Sequence, residues 1–169
     1  MTDDVFLYPG GFHFGAAGTR ISTLLGSCVA VCLWHPALRI GGMCHFMLPG
    51  RGDGRLASPG RGDGRFASPG RGDGRFADGA FALFRAELAR TGTEPGQYRA
   101  KVFGGAAQTS GGKVAAANVR AALTLLDRYG FAVLVRDTGG TGARFLRFDL
   151  DTGDVWLRRN ARGDLDVAS

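Results

Sequence analysis

Two short apolar segments hold residue types able to break an amide bond. In the first, Leu24-Leu25-Gly26-Ser27-Cys28-Val29-Ala30-Val31-Cys32-Leu33-Trp34, a cysteine stands behind two small residues at the head of a β-branched run. In the second, Gly41-Gly42-Met43-Cys44-His45-Phe46-Met47-Leu48-Pro49, a histidine sits among apolar neighbours. A thiol attacks a carbonyl once its proton is taken, and imidazole is the side chain suited to take it near neutral pH. Gly26 and Ser27 leave backbone room beside Cys28 for a substrate, with free amides to face an oxyanion.

These groups meet only if the chain folds back on itself. Cys28 to Trp34 reads as a buried strand, His35-Pro36-Ala37-Leu38 as a turn, and Ile40 to Leu48 as the returning strand. The residue opposite Cys28 then falls in the mid-forties, within reach of His45. A buried thiol, a zinc ligand and a nucleophile all remain open readings of Cys28. Zinc is disfavoured because residues four apart in a strand, such as Cys28 and Cys32, lie about 13 Å apart. Two thiolates at that distance cannot share a tetrahedral ion with bonds of about 2.3 Å. No metal or other cofactor is therefore expected. A third group usually orients the base. Ser22 and Thr23 offer hydroxyls, but they alternate across a strand, so one of them faces the site; Asp137 is a further polar candidate, better suited to a turn.

The surrounding pattern predicts one α/β domain over residues 1–169. Strands are expected at Leu7 to Phe14, Arg20 to Leu25, Ala100 to Phe103 and Phe131 to Arg136, the last buried. A hairpin is expected from Arg144 to Asp149 and Asp154 to Arg159. One helix is expected from an Asp78 cap through Arg90 to a stop at Gly92, burying Phe81, Phe84 and Leu88. A second runs from Lys113 to Tyr129 and stops at Gly130, with Val119, Ala122 and Leu126 on its inner face. The sheet is expected to be mixed or mainly antiparallel.

Between Pro49 and Asp78 the chain repeats itself three times: PGRGDGRLAS, PGRGDGRFAS, PGRGDGRFAD. Each copy has one large apolar residue, too little to bury a core of its own, so the expectation is a duplicated surface loop that is mobile and dispensable for folding. Phosphate-cradling glycine patterns are absent. The three PGRGDGR cores of the repeats supply +3, half of the net charge of +6, and the other basic residues are dispersed, which argues against a nucleic-acid partner. No run approaches the ~18 apolar residues of a membrane span. An acidic start without a long apolar stretch reads as no secretory signal, and three cysteines make poor disulfide material, so a reduced, cytoplasmic protein is expected.

The same segments resemble the chemoreceptor glutamine deamidase family, CheD. The likeness rests on Leu25 to Leu33, Gly41-Gly42-Met43, His45 to Pro49 and Asp73 to Asp78. It continues through Lys101 to Ala106, Asn118, Asp137 to Gly140 and the hairpin from Thr152-Gly153 to Arg158. The resemblance implies an α/β/α layered sandwich and conversion of glutamines on bacterial chemoreceptors to glutamates through a thioester. It makes Cys28 the nucleophile and His45 the base, with Thr23 favoured over Ser22 as the hydroxyl group. It implies chemoreceptor cytoplasmic domains as substrate and a CheC-type phosphatase as a further partner, with a non-catalytic adaptor as the rival reading. Two departures stand out: the triple repeat is longer than the family's usual loop, and Cys44 stands where a polar residue such as asparagine is expected.

Overall fold

The computed structural model describes residues 1–50, 72–107 and 112–159, together with the backbone of a short strand at 166–168. In chain order the strands β1 (Asp3–Leu7), β2 (Phe12–Ala16), β3 (Thr19–Leu25), β4 (Val29–His35) and β5 (Ile40–Phe46) come first. Helix α1 (Ala77–Thr91), a 3-10 turn (Pro95–Gln97), β6 (Arg99–Gly104), helix α2 (Lys113–Tyr129) and β7 (Ala132–Thr138) follow. Strands β8 (Arg144–Asp149), β9 (Val155–Arg159) and β10 (Asp166–Ala168) complete the fold.

The strands form two five-stranded sheets, ordered β1-β3-β8-β9-β10 and β2-β5-β4-β6-β7. Pairing is antiparallel except between β1 and β3 and between β6 and β7, so the mixed, mainly antiparallel α/β reading holds. Parallel β6 and β7 need a crossover, and α2 supplies it.

The order of layers differs from the α/β/α stacking that the resemblance implied. Both helices cover one face of the second sheet: Phe81, Phe84 and Leu88 of α1 and Val119, Leu125 and Leu126 of α2 pack on Val29, Val31, Leu33, Cys44 and Phe46. The opposite face packs on the first sheet through Ala30, Cys32, Met43 and Phe103 against Ile21, Leu25, Leu146, Phe148 and Leu157. The stack is helices, sheet, sheet. The cause is visible in β4, where every residue but Trp34 is buried: a strand with two apolar faces needs a cover on each.

Four local expectations shift. The single strand expected over Leu7 to Phe14 is instead β1 and β2, parted by a turn in which Gly11 N donates to Tyr8 O. Helix α1 begins one residue before Asp78, with Phe76 as the N-cap, and Asp78 instead places its charge in the first turn, where the helix dipole favours it. Strand β7 is an edge strand, with Leu134 and Ala132 exposed, so only Phe131 just before it is buried. The repeat expectation falls mostly outside the described residues, but the tail of the third copy does not behave as a free loop. Arg75 O accepts the amides of Met47 (2.8 Å) and Leu48 (3.1 Å), and Phe76 forms a parallel bridge with Leu48. Gly74 is buried so tightly that a Cβ there would lie 2.4 Å from Gly10 O. That copy ties the end of β5 to the start of α1.

Candidate active site

Alternation along β4 and β5 decides which side chains share a face. Ala30 and Cys32 face the inter-sheet core, as Met43 does on β5, so His45 lies on that same side and Cys44 on the helix side. Ala30 pairs directly with His45 in the antiparallel ladder. Cys28, two residues before Ala30 and packed against the same inter-sheet core, is therefore the diagonal neighbour of His45. Such diagonal positions are about 7–8 Å apart at the backbone, within reach of an imidazole. The hairpin thus brings Cys28 and His45 to one end of one face.

The first sheet contributes the third group. Ile21, Thr23 and Leu25 turn inward from β3, and the Thr23 hydroxyl contacts His45 Nδ1 at 2.7 Å and Leu7 O at 2.8 Å. A carbonyl can only accept, so the single Thr23 proton goes to Leu7 O. His45 Nδ1–H must then donate to Thr23 Oγ1, which leaves the lone pair on Nε2. That nitrogen is buried and has no hydrogen-bond partner among the described residues. Ser22, one residue earlier, faces the other side of its sheet, half-buried, and pairs across to Phe6 and Arg147. Alternation separates the two hydroxyls.

The turn before Cys28 is pinned through its carbonyls. Ala106 N donates to Gly26 O (2.9 Å), Asn118 Nδ2 to Ser27 O (3.1 Å) and Gly105 N to Cys28 O (2.9 Å). In a planar trans peptide the N–H points opposite to the carbonyl. Fixing the Gly26 and Ser27 carbonyls toward β6 and α2 therefore aims the Ser27 and Cys28 amides the other way, and no described backbone carbonyl takes either of them. Gly104 permits this close approach: its φ is +109°, and a Cβ there would lie 2.3 Å from Cys28 O. Arg144, buried at the same end, holds the loops through Gly139 O (2.6 Å) and Asp137 Oδ1 (3.0 Å), while Arg159 pairs with Asp137 from outside. Asp137 serves these arginines and makes no hydrogen bond to Cys28 or His45 in the described structure.

Asn118 is the residue that motif reasoning named without giving a task. Its amide, fully buried on α2, donates to Ser27 O and to Met47 O (2.9 Å), tying the start of β4 to the end of β5. The signal was present in the sequence as the one polar side chain on the apolar stripe formed by Ala115, Val119 and Ala122.

Burial sets the charge state of the pair. It pushes the Cys28 thiol above its ordinary range and pulls His45 down to about 4. Burial thus favours the neutral form of each group. Cys32 and Cys44 are fully buried, each on a different face of the sheet, and burial raises both thiols, Cys44 to about 12. Both pack as small apolar groups.

A family model described as CheD chemotactic sensory transduction matches residues 60–159. Similarity to individual proteins extends across the Cys28 and His45 segments as well. A probable chemoreceptor glutamine deamidase, CheD 3, of Dechloromonas aromatica (strain RCB) is 46% identical over 97% of this chain and 92% of its own length. A probable chemoreceptor glutamine deamidase CheD of Pseudomonas fluorescens (strain SBW25) is 41% identical, covering 96% and 88%. The CheD 1 protein of Chromobacterium violaceum, described in the same terms, is 35% identical, covering 97% and 81%. By the extent of these matches the chain belongs to the CheD family.

Proposed function

We propose that this protein hydrolyses the side-chain carboxamide of glutamines on chemoreceptors, giving glutamate and ammonia. Cys28 Sγ attacks the amide carbon as His45 Nε2 takes the thiol proton. The tetrahedral oxyanion is held by the Ser27 and Cys28 amides, with Gly26 giving the substrate room. The imidazolium returns its proton to the amide nitrogen, the C–N bond breaks, and ammonia leaves a thioester on Cys28. Water then attacks the thioester carbon while Nε2 accepts its proton. The C–S bond breaks, the proton passes back to sulfur, and the new carboxylic acid ionises. Each turnover adds one negative charge to the receptor.

Thr23 does not touch the substrate in this scheme. It holds Nδ1–H, so that Nε2 always presents a lone pair, and it steadies the imidazolium when that forms. One observation carries the reading: His45 Nε2 is buried without a hydrogen-bond partner among the described residues, on the face and at the end of the sheet that Cys28 shares. Support for the substrate comes from the relatives, described as chemoreceptor glutamine deamidases. No described helix is long and apolar enough to cross a membrane. Three free thiols fit action in the reducing cytoplasm, on the cytoplasmic part of the receptor.

The test is mass spectrometry of a receptor cytoplasmic fragment incubated with the protein. Glutamine-to-glutamate conversion is expected with the native protein and is expected to vanish with Cys28→Ala; undiminished conversion by that variant overturns the mechanism. Binding to a CheC-type phosphatase belongs to the same reading as an added role. A pull-down with Cys28→Ala is expected to retain the phosphatase, because binding does not need the thiol.

A further inference from the structure

At the end of the first sheet that holds Thr23, several large apolar side chains reach solvent on its outer face. Tyr8 is 72% exposed and Leu24 56%. Leu24 immediately follows Thr23, whose hydroxyl contacts His45, and Tyr8 follows Leu7, whose carbonyl accepts from that hydroxyl. The parallel register Leu7↔Thr23 sets Tyr8 beside Leu24. Phe6, 47% exposed, packs edge-on to Tyr8 with ring centroids 5.1 Å apart. On the neighbouring strand Phe145 pairs with Leu24, and the exposed Arg158 lies over its ring at 5.2 Å. On the second sheet Met47 (37% exposed) follows the end of β5, two residues after His45.

Among the described residues no internal partner covers this strip, and contiguous exposed apolar surface bordered by charge marks a protein-binding face. Its place explains what it binds. The reacting atoms are half-buried, so a glutamine reaches Cys28 only if the protein carrying it lies against the rim. Resting on the function proposed above, we infer that the Tyr8–Leu24–Phe145 strip is the substrate-docking surface and selects receptor segments whose target glutamine is flanked by an apolar stripe bearing carboxylates. The apolar stripe covers Tyr8, Leu24 and Phe6; the carboxylates meet Arg158 at its border and give the encounter its dependence on salt. The occupant is thus an amphipathic, acidic face of a folded protein rather than any accessible glutamine.

The experiment compares a receptor cytoplasmic fragment with a short glutamine peptide as substrates. The variant Tyr8→Ser/Leu24→Ser changes only solvent-reached side chains. It is expected to raise KM for the receptor fragment tenfold or more, with kcat within about twofold and KM for the peptide unchanged. Alkylation of Cys28 by iodoacetamide reports the integrity of the site and is expected to match the native rate. Arg158→Gln is expected to flatten the salt dependence of KM. Leu38→Ser, an exposed apolar residue in the turn at the far end of β4 and β5, serves as the control and is expected to leave both substrates unaffected. An unchanged KM for the fragment overturns the inference, as does an equal loss on both substrates with altered Cys28 alkylation, which would mean a structural role. If the native protein converts no glutamine, the proposed function fails on its own. The rim is then judged by direct titration with the receptor fragment: a tenfold weaker Kd for the double variant supports it, and an unchanged Kd or no binding overturns it.

Discussion

The two faces of the sheet β2-β5-β4-β6-β7 are built from the same strands and do different work. The helix face is lined by Val29, Val31, Leu33, Cys44 and Phe46 and is closed mainly by apolar side chains, with Asn118 and the buried His35, packed on Tyr98, among its polar groups. The inter-sheet face carries buried polar groups among its apolar ones: His45 against Thr23, and Lys101, whose Nζ donates to Gly153 O at 2.8 Å. Cys44 and His45 are neighbours in sequence, yet one packs under the helices and the other faces the proposed active site, because a strand sends successive side chains to opposite faces. The face separates Cys44 from His45, and position along the strand separates Cys28 at its open end from Cys32, which is buried on the same face and only packs.

The largest effects are expected where the polar face is cut. His45→Ala is expected to lower kcat/KM on a receptor fragment by about 10² to 10⁴-fold, the usual range for loss of a general acid–base. Thr23→Val keeps the shape and removes the acceptor for Nδ1–H, so a loss of about 10- to 100-fold in kcat is expected, with KM little moved. A Thr23→Val enzyme with native kcat would detach the first sheet from the chemistry.

Acid titration separates the faces by stability. His45 in the folded protein binds a proton only near pH 4, whereas in the unfolded chain it does so near 6.5. Between those values the unfolded state holds more protons, so stability falls as the pH falls through that window, by up to about 3 kcal/mol. Denaturant melts of the native protein and of His45→Gln at pH 7 and pH 4 measure this. The variant is expected to lose distinctly less stability on acidification, and parallel losses would show that His45 is not held neutral.

On the helix face the same kind of change is expected to cost stability alone. Cys44→Ser buries a hydroxyl among Phe81, Phe84 and Leu88, at about 1–3 kcal/mol, with glutamine conversion per folded molecule unchanged. A drop in kcat for that variant would blur the division between faces. The smallest effect is expected from removing Pro49 to Ser68, the first two repeat copies, so that the third joins β5 directly. The contacts of Gly74, Arg75 and Phe76 are kept in that deletion, and the melting temperature is expected to stay within about 2 °C of native, the shift from a few tenths of a kcal/mol.

Much of the site was legible because its parts are local. The hairpin from β4 to β5 follows from two apolar runs with a turn between them, and that alone set His45 near Cys28. The choice between Ser22 and Thr23 was not local. It depends on which face of β3 meets the second sheet, and that is fixed by the packing of Ile21 and Leu25 against a sheet the sequence pattern does not announce. The layer order escaped for the same reason: a strand buried on both faces reads alike whether its second cover is a helix or a sheet. The effect of burial on the thiol and the imidazole was equally hidden, since spacing alone does not show how deeply either group sits.

The central claim is that Cys28 and His45 act as one unit from a shared face, and a double-variant cycle tests it most directly. kcat/KM for glutamine conversion on a receptor fragment would be measured for the native protein, Cys28→Ala, His45→Ala and the two combined. Groups that act as a unit lose their joint contribution once, so the double variant is expected to be no slower than the slower single variant. Losses that multiply in the double variant, or a Cys28→Ala protein with native turnover, would contradict it.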